Sequence, residues 1–275
     1  MKIKAFAKIN LTLDITGIRD DGFHTLRSVM VPVSLCDEIE ILQCDKFVFD
    51  CNVKSIVDEN NLVVRAAKRF FERSGIEPLV SIYLEKKIPF PAGLGGGSSD
   101  AAAVLKGLNL FFGEPLKEAD LFEIAETLGS DVPVCLLGKC ALCEGRGEIL
   151  TPLSLPKKLY LLIAIGKARL STPAVYREYD AMGLEVREDS NAFLNALTSQ
   201  NIEETFGNAF EPVADILAPE TKMIRDTMLS LGAVTSHLSG SGPSVYGVFE
   251  NEEKAKKSAD ALADLGFSAY CCETI

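Results

Sequence analysis

Gly93, Gly95, Gly96 and Gly97 put four glycines into five residues, between a β-rich run at Val80–Leu84 and an Ala- and Leu-rich stretch that reads as a helix from about Asp100 to Phe112. This placement constrains the fold more than any other feature. Glycines let main chain approach a ligand closely, and the first N–H groups of the following helix are unpaired donors at its positive end. The run Pro89-Phe-Pro-Ala-Gly-Leu-Gly-Gly-Gly-Ser-Ser99 therefore suits an anion such as phosphate. The plainer alternative is a flexible strand-to-helix connection with Ser99 or Asp100 as an N-cap, but a cap does not need so many glycines.

The common phosphate loops fail one by one. A Walker loop needs Lys after its last glycine, and none follows here. The dinucleotide fingerprint would put glycine where Ser98 stands. A hydrolase elbow is absent both here and at Ser239-Gly-Ser-Gly242, and the H-R-D and D-F-G motifs of protein kinases do not occur. A different nucleotide loop survives.

Charge narrows the partners. With 28 Lys and Arg against 39 Asp and Glu, the net charge of −11 argues against a general nucleic-acid or anionic-membrane surface, since either needs a basic field. A bound polyanion must be met locally by amides, Lys or Arg and a divalent cation. The opening MKIKAFAKINLTLDI has no unbroken apolar run of signal type, and the compact apolar stretch Tyr160–Ile165 is too short to span a bilayer. A cytoplasmic protein with reduced thiols is expected. Its eight cysteines are scattered, and the lone Cys140-Ala-Leu-Cys143 has no second pair at zinc spacing.

Residues 2–17 and 28–41 read as strands joined by the turn Arg19–Gly22. Asn60-Asn61 opens an amphipathic helix through Val63, Ala66, Ala67, Phe70 and Phe71, ending at Ser74-Gly75. A further helix is expected over Leu116–Leu128, and a boundary near residue 150 at Thr151-Pro-Leu-Ser-Leu-Pro156. Beyond it come a strand at Leu159–Ile165, a helix over Glu203–Leu217, then helix Glu220–Leu231, strands Val234–Leu238 and Ser244–Glu250, helix Glu252–Leu265 and strand Ser268–Glu273. Taken with Leu159–Ile165, the last five make the β-α-β-β-α-β order of a ferredoxin-like sandwich. The fold class is α+β in two parts.

Three motifs stand in order along nearly the whole chain: Ala5-Phe-Ala-Lys-Ile-Asn10, Pro89–Ser99 and Leu238-Ser-Gly-Ser-Gly-Pro-Ser244. With them the sequence resembles the GHMP kinase superfamily, whose members phosphorylate galactose, homoserine, mevalonate and phosphomevalonate. Ala-Lys-Ile-Asn-Leu-Thr-Leu followed by Gly22-Phe-His-Thr-Leu26, together with Gly129-Ser-Asp-Val-Pro-Val134, is similar to one branch in particular. That branch uses ATP to phosphorylate the 2-hydroxyl of a cytidine-diphosphate-linked methylerythritol in non-mevalonate isoprenoid synthesis. The resemblance implies a two-domain GHMP kinase fold with a ribosomal-protein-S5-like N-terminal domain and a ferredoxin-like α/β sandwich at the C-terminus. It implies an ATP-binding domain at 1–150, a domain at 151–275 completing the substrate cleft, ATP with Mg2+, and a monomer or weak homodimer with no nucleic-acid or membrane partner.

Lys8 and Asp131 occupy the positions that the family uses for catalysis. By composition alone Lys8 reads as a solvated strand residue and Asp131 as a helix cap before Pro133; the resemblance makes them the cation at the attacking oxygen and the carboxylate that orients the hydroxyl. On the ATP side it implies Pro89, Phe90, Pro91, Ala92, Gly93, Leu94, Gly95, Gly96, Gly97, Ser98 and Ser99, with Asn61 and Lys86 near the adenine. Asn61 reads equally as a simple cap. Asn10, Phe23, His24, Thr172 and Tyr176 are implied on the substrate side, Phe23 and Tyr176 stacking on cytosine and His24 bonding its edge. No residue set is assigned to a metal held by protein alone. Two other readings stay open: a superfamily kinase for homoserine or a mevalonate derivative, and a nucleotide-binding relative without activity.

Overall fold

Along β1 (Lys2–Ile18) odd and even positions part company. Ala7, Ile9, Leu11, Leu13 and Ile15 are apolar and Lys8, Asn10, Thr12 and Asp14 are polar, the two-residue repeat of a strand, yet all nine are buried. A buried polar row is costly unless each member has a partner, so this strand announces where chemistry or cross-linking is concentrated.

The computed structural model describes residues 1–20, 22–198 and 201–275. The expected turn after β1 holds Asp21, which lies outside the described residues; around it, Gly22 N–H donates to Arg19 O at 2.9 Å and Arg19 N–H to Phe23 O at 2.8 Å. The chain returns as β2 (His24–Gln43). It forms two compact units, one of Met1–Lys8, Cys36–Pro89 and Gly95–Gly138, the other of Ile9–Leu35, Phe90–Leu94 and Lys139–Ile275, so β1 and β2 each contribute to both.

In the first unit, β3 (Val48–Cys51) runs parallel to β4 (Val80–Glu85), and β4 pairs antiparallel with β2 from Glu38↔Glu85 to Gln43↔Val80. Three helices cover this sheet: α1 (Leu62–Ser74), α2 (Gly96–Phe111) and α3 (Glu118–Leu128), followed by the short α4 (Val132–Leu137). Val63, Ala66, Ala67, Phe70 and Phe71 fall at helical spacing and bury one face of α1 against Ile39, Ile41, Ile82 and Leu84. Small residues let α2 lie close, since a Cβ at Gly107 would stand 2.8 Å from Ile41 Cδ1. α2 also starts four residues before the expected Asp100, inside the glycine run, because Gly95 rather than a polar residue takes the cap position.

The second unit contains β5 (Ala141–Gly145), antiparallel to β2 from Leu26↔Gly145 to Met30↔Ala141, and β6 (Ile149–Pro152). It continues through β7 (Tyr160–Ile165), α5 (Thr172–Met182), α6 (Asp189–Ala196), β8 (Gly207–Asn208), α7 (Glu211–Leu217), α8 (Glu220–Ser230), β9 (Thr235–Leu238), β10 (Val245–Phe249), α9 (Glu252–Asp264) and β11 (Ser268–Glu273). The sheet order β11-β7-β10-β9, with every pair antiparallel, is the split β-α-β-β-α-β unit expected from the sequence.

One expected helix is corrected. Glu203–Leu217 is broken into a 3-10 turn at Ile202–Thr205, the strand β8 and the helix α7. Asn208 is the reason: its Nδ2 donates to Leu238 O and Gly240 O, both at 2.9 Å, and its Oδ1 accepts from Phe210 N, while β8 pairs with Thr12 and Leu13 of β1. Among the described residues no helix is long and apolar enough to cross a membrane.

Candidate active site

Each member of the buried polar row on β1 has a partner. Asp14 accepts the N–H groups of Asp189 and Ser190 and so caps α6, and burial pushes its carboxyl above the usual range despite those bonds. Thr12 shares a hydrogen with the Ser190 hydroxyl at 2.8 Å. Asn10 Nδ2 donates to Ser28 Oγ at 2.8 Å, and Ser28 Oγ donates in turn to Thr12 O at 2.6 Å. Lys8 ends the row with a charge, its Nζ 3.3 Å from Asp131 Oδ2.

That ion pair sets aside the plainer reading of each residue. Lys8 is only 5% exposed, so it is no solvated surface lysine. Asp131 does sit at the N-cap of α4, but its side chain makes no capping bond and turns to the lysine instead. Glycine 95 explains how the lysine reaches this place. Its φ of +66° is left-handed, and a Cβ there would lie 2.8 Å from Lys8 Cγ, so the lysine stem runs directly beneath the loop.

The loop leaves donors facing outward. With Gly95 as cap there is no side chain over the helix end, and the first intrahelical bond runs from Ser99 N to Gly95 O at 2.8 Å. The amides of Gly96, Gly97 and Ser98 thus precede the ladder, at the positive end of a 16-residue helix. The two serines separate in role: Ser99 Oγ donates to Phe6 O at 2.6 Å and is buried, whereas Ser98 is half-buried. Earlier in the loop, Gly93 has φ +77° and would carry a Cβ 3.1 Å from Gly242 N, while Ser239 Oγ donates to Gly93 O and Ser244 N to Ala92 O. The third glycine motif is therefore packed on Ala92-Gly93. Pro89 is half-buried, Leu94 is buried, and Phe90 and Pro91 are exposed.

Two residues expected near adenine are engaged elsewhere. Asn61 caps α1, its Oδ1 accepting from Val63 N at 2.9 Å and its Nδ2 donating to Ile56 O at 2.8 Å, which leaves both ends of the amide on local backbone. Lys86 turns inward. Its ammonium donates to Asp37 and, at 2.8 Å, to Asp100 Oδ2, and only 3% of its side chain is exposed, so no base can reach it. Asp37 also accepts the N–H groups of Lys87 at 2.5 Å and Ile88 at 2.7 Å. Asp100 Oδ1 is buried with no hydrogen-bond partner. Burial lifts the Asp100 carboxyl to about 8, Lys86 opposing and Asp37 adding to the rise. For Lys86, burial is outweighed by the two carboxylates, and its pKa is raised. Sequence reasoning missed this triad, whose members are brought together from β2, the end of β4 and α2 only by folding.

Of the residues expected on the substrate side, His24 and Tyr176 come together. His24 and Tyr176 have ring centroids 4.8 Å apart, and Tyr176 stands edge-on to Phe210 at 4.8 Å. Phe23 is 57% exposed, with the Arg146 guanidinium 5.5 Å from its ring centroid. Thr172, at the start of α5, shares a hydrogen with Ser241 at 2.9 Å. His24 Nε2 lies 2.7 Å from Asp180 Oδ1. Arg146 and Asp180 are further candidates; for Asp180 the available signal is its helical spacing from Tyr176. All eight cysteines are thiols rather than disulfides, and burial pushes the Cys140 thiol up to about 12.

Comparison with known proteins agrees with this geometry. The family model of the GHMP kinases N terminal domain matches residues 61–139, and that of the GHMP kinases C terminal matches 186–266. A 4-diphosphocytidyl-2-C-methyl-D-erythritol kinase of Caldicellulosiruptor saccharolyticus is 41% identical over 268 residues, covering 95% of this chain and 92% of its own. One from Clostridium tetani is 36% identical with both chains wholly covered. A crystal structure of 4-(cytidine 5'-diphospho)-2C-methyl-D-erythritol kinase superposes with a TM-score of 0.87 at 35% identity, covering 100% of this chain and 99% of that one. Homoserine kinase from Cytophaga hutchinsonii, at 21% identity and TM-score 0.75, shares the fold.

Proposed function

The chain belongs to the GHMP kinases and, among them, to the 4-diphosphocytidyl-2-C-methyl-D-erythritol kinases, and from that premise we propose how its own residues carry the reaction. It is an ATP-dependent kinase that phosphorylates the 2-hydroxyl of the cytidylyl-linked methylerythritol, a step in isoprenoid synthesis. The observation that carries the assignment of roles is the Lys8–Asp131 pair, 3.3 Å apart, with the Lys8 stem under Gly95.

The amides of Gly96, Gly97 and Ser98 receive the ATP phosphates at the end of α2. Asp131 orients the substrate hydroxyl and takes its proton as the oxygen bonds to the γ-phosphorus and the bond to the β-phosphate oxygen breaks, releasing ADP. Lys8 stabilises the charge on the attacking oxygen and on the phosphoryl group in flight. Such transfers pass through a loose transition state, so positioning counts for more than early proton removal. Ser98, half-buried while Ser99 is turned to Phe6, would face the Mg2+ that accompanies ATP, and the ion would supply positive charge against the phosphates. Asn10, oriented by Ser28, addresses the methylerythritol hydroxyls. Phe23 and Tyr176 stack on the cytosine, His24 bonds its edge, and Thr172 lies at the substrate. On this reading residues 1–150 are the ATP-binding domain and residues 151–275 complete the substrate site.

Purified protein with ATP and Mg2+ is expected to release ADP with the cytidylyl-linked methylerythritol and not with homoserine or mevalonate. Turnover of either other alcohol at a comparable kcat/KM would overturn the assignment.

A further inference from the structure

Helix α5 presents Tyr176, Tyr179 and Asp180 at positions i, i+3 and i+4, one face of a helix. All three meet His24. The imidazole is 4.8 Å from the Tyr176 ring, 6.5 Å and edge-on to Tyr179, and 2.7 Å through Nε2 from Asp180 Oδ1; only 10% of the side chain is exposed. Rings on two sides oppose a flip of the imidazole, which would exchange its two nitrogens.

A carboxylate can only accept, so the nitrogen facing Asp180 must carry the hydrogen. In the neutral ring the other nitrogen, Nδ1, is then a lone pair and nothing else. Among the described residues no hydrogen bond is made to it. We propose that Asp180 is a specificity-determining positioning residue: by fixing the Nε2–H tautomer of His24 it presents an acceptor to the base, which matches the amino group of cytosine and clashes with the carbonyl oxygen that uracil carries at the same place. The proposal rests on the reading that His24 meets the base.

The second histidine of the chain is an internal contrast. His237 Nδ1 faces Glu211 Oε1 at 2.9 Å and its Nε2 faces Thr235 Oγ1 at 2.7 Å, so its carboxylate fixes the opposite, Nδ1–H form. The pair of tautomers gives a test that needs no substrate.

The experiment is long-range 15N–1H correlation on the full chain labelled at histidine, at pH 8, above the ordinary imidazole range, with His237→Gln used to assign the two rings. His24 is expected as Nε2–H and His237 as Nδ1–H; Asp180→Ala is expected to change His24 to a mixture and leave His237 unmoved. A wild-type His24 in the Nδ1–H form overturns the proposal. Calorimetric titration with CDP and UDP then reads the consequence. Wild type should prefer CDP by about tenfold or more, since a mismatched polar contact at a desolvated site is costly, and Asp180→Ala should bring the ratio towards one, with Asp180→Glu partly restoring it. An unchanged ratio in Asp180→Ala sinks the proposal alone. Unchanged CDP binding in His24→Ala sinks the underlying reading of the base site, so the two failures are told apart.

Discussion

The residues proposed for the phosphate end and those proposed for the base end of this enzyme are built in opposite ways. At the phosphate end the charged and hydroxyl side chains are themselves buried and partnered: Lys8 beside Asp131 and under Gly95, Ser99 bonded to Phe6 O, Lys86 bonded to Asp37 and Asp100. At the base end Phe23 stands more than half exposed, and the ring set is held by edge contacts and one part-exposed carboxylate, Asp180. Transition-state stabilisation rewards groups that need no rearrangement at the moment of reaction, whereas a stacking platform tolerates adjustment because its energy is spread over a face. On the proposed roles, chemistry falls to the enclosed side chains and recognition to the more exposed ones.

Substitutions at Asp131, Lys8, Phe23 and Asp100 would break or sharpen that contrast, beginning with the largest effect. Asp131→Asn and Lys8→Ala should each lower kcat by about 100- to 1,000-fold, the usual cost of removing one preorganised group at a charged transition state, with CDP affinity held within about twofold. Steady-state ADP release and calorimetry check this pair, and near-normal turnover in either variant removes that residue from the chemistry. Phe23→Ala should raise KM for the cytidylyl substrate about tenfold, since stacking on a base is worth about 1–3 kcal/mol, while kcat changes little. A matching fall in kcat would mean that the base end also positions the reacting hydroxyl. Phe23→Tyr should bind at least as well, the ring face being kept.

The smallest effect tests how far rigidity extends below the loop. The folded pKa of Asp100 is raised from 3.8 to about 8 by burial and by Asp37, against Lys86. Between these values the folded chain keeps a proton that the unfolded chain has released, so this group's contribution to stability falls as pH rises through the window. Asp100→Asn lacks that titration. Urea unfolding from pH 5 to pH 8 should show the variant gaining on wild type as pH rises, and a constant difference would mean that Asp100 is ionised throughout.

The glycine loop was legible in the sequence because main-chain donors and glycine leave a local signature, whereas the roles given to Lys8 and Asp131 came from the family resemblance. The apolar spacing of α1 was equally plain, and Asn61 read both as its cap and as a residue near the adenine. The triad of Asp37, Lys86 and Asp100 was not, since 49 residues separate the first two and nothing local marks a buried charge. Nor was the break in Glu203–Leu217, where apolar spacing reads as a helix but the Asn208 amide is drawn to the backbone of residues 238 and 240. At the base end, Phe23, His24 and Tyr176 came from the family resemblance. The face formed by Tyr176, Tyr179 and Asp180 could have come from helical periodicity, had α5 been recognised.

Ser99 bonds to Phe6 O, and Phe6 is two residues from Lys8 along β1. One hydroxyl therefore fastens the start of α2 to the strand that carries Lys8. On the proposed roles, a ligand that displaces this helix disturbs the strand bearing the lysine as well. A triphosphate analogue that shifts the helix is then expected to be admitted and still be turned over poorly.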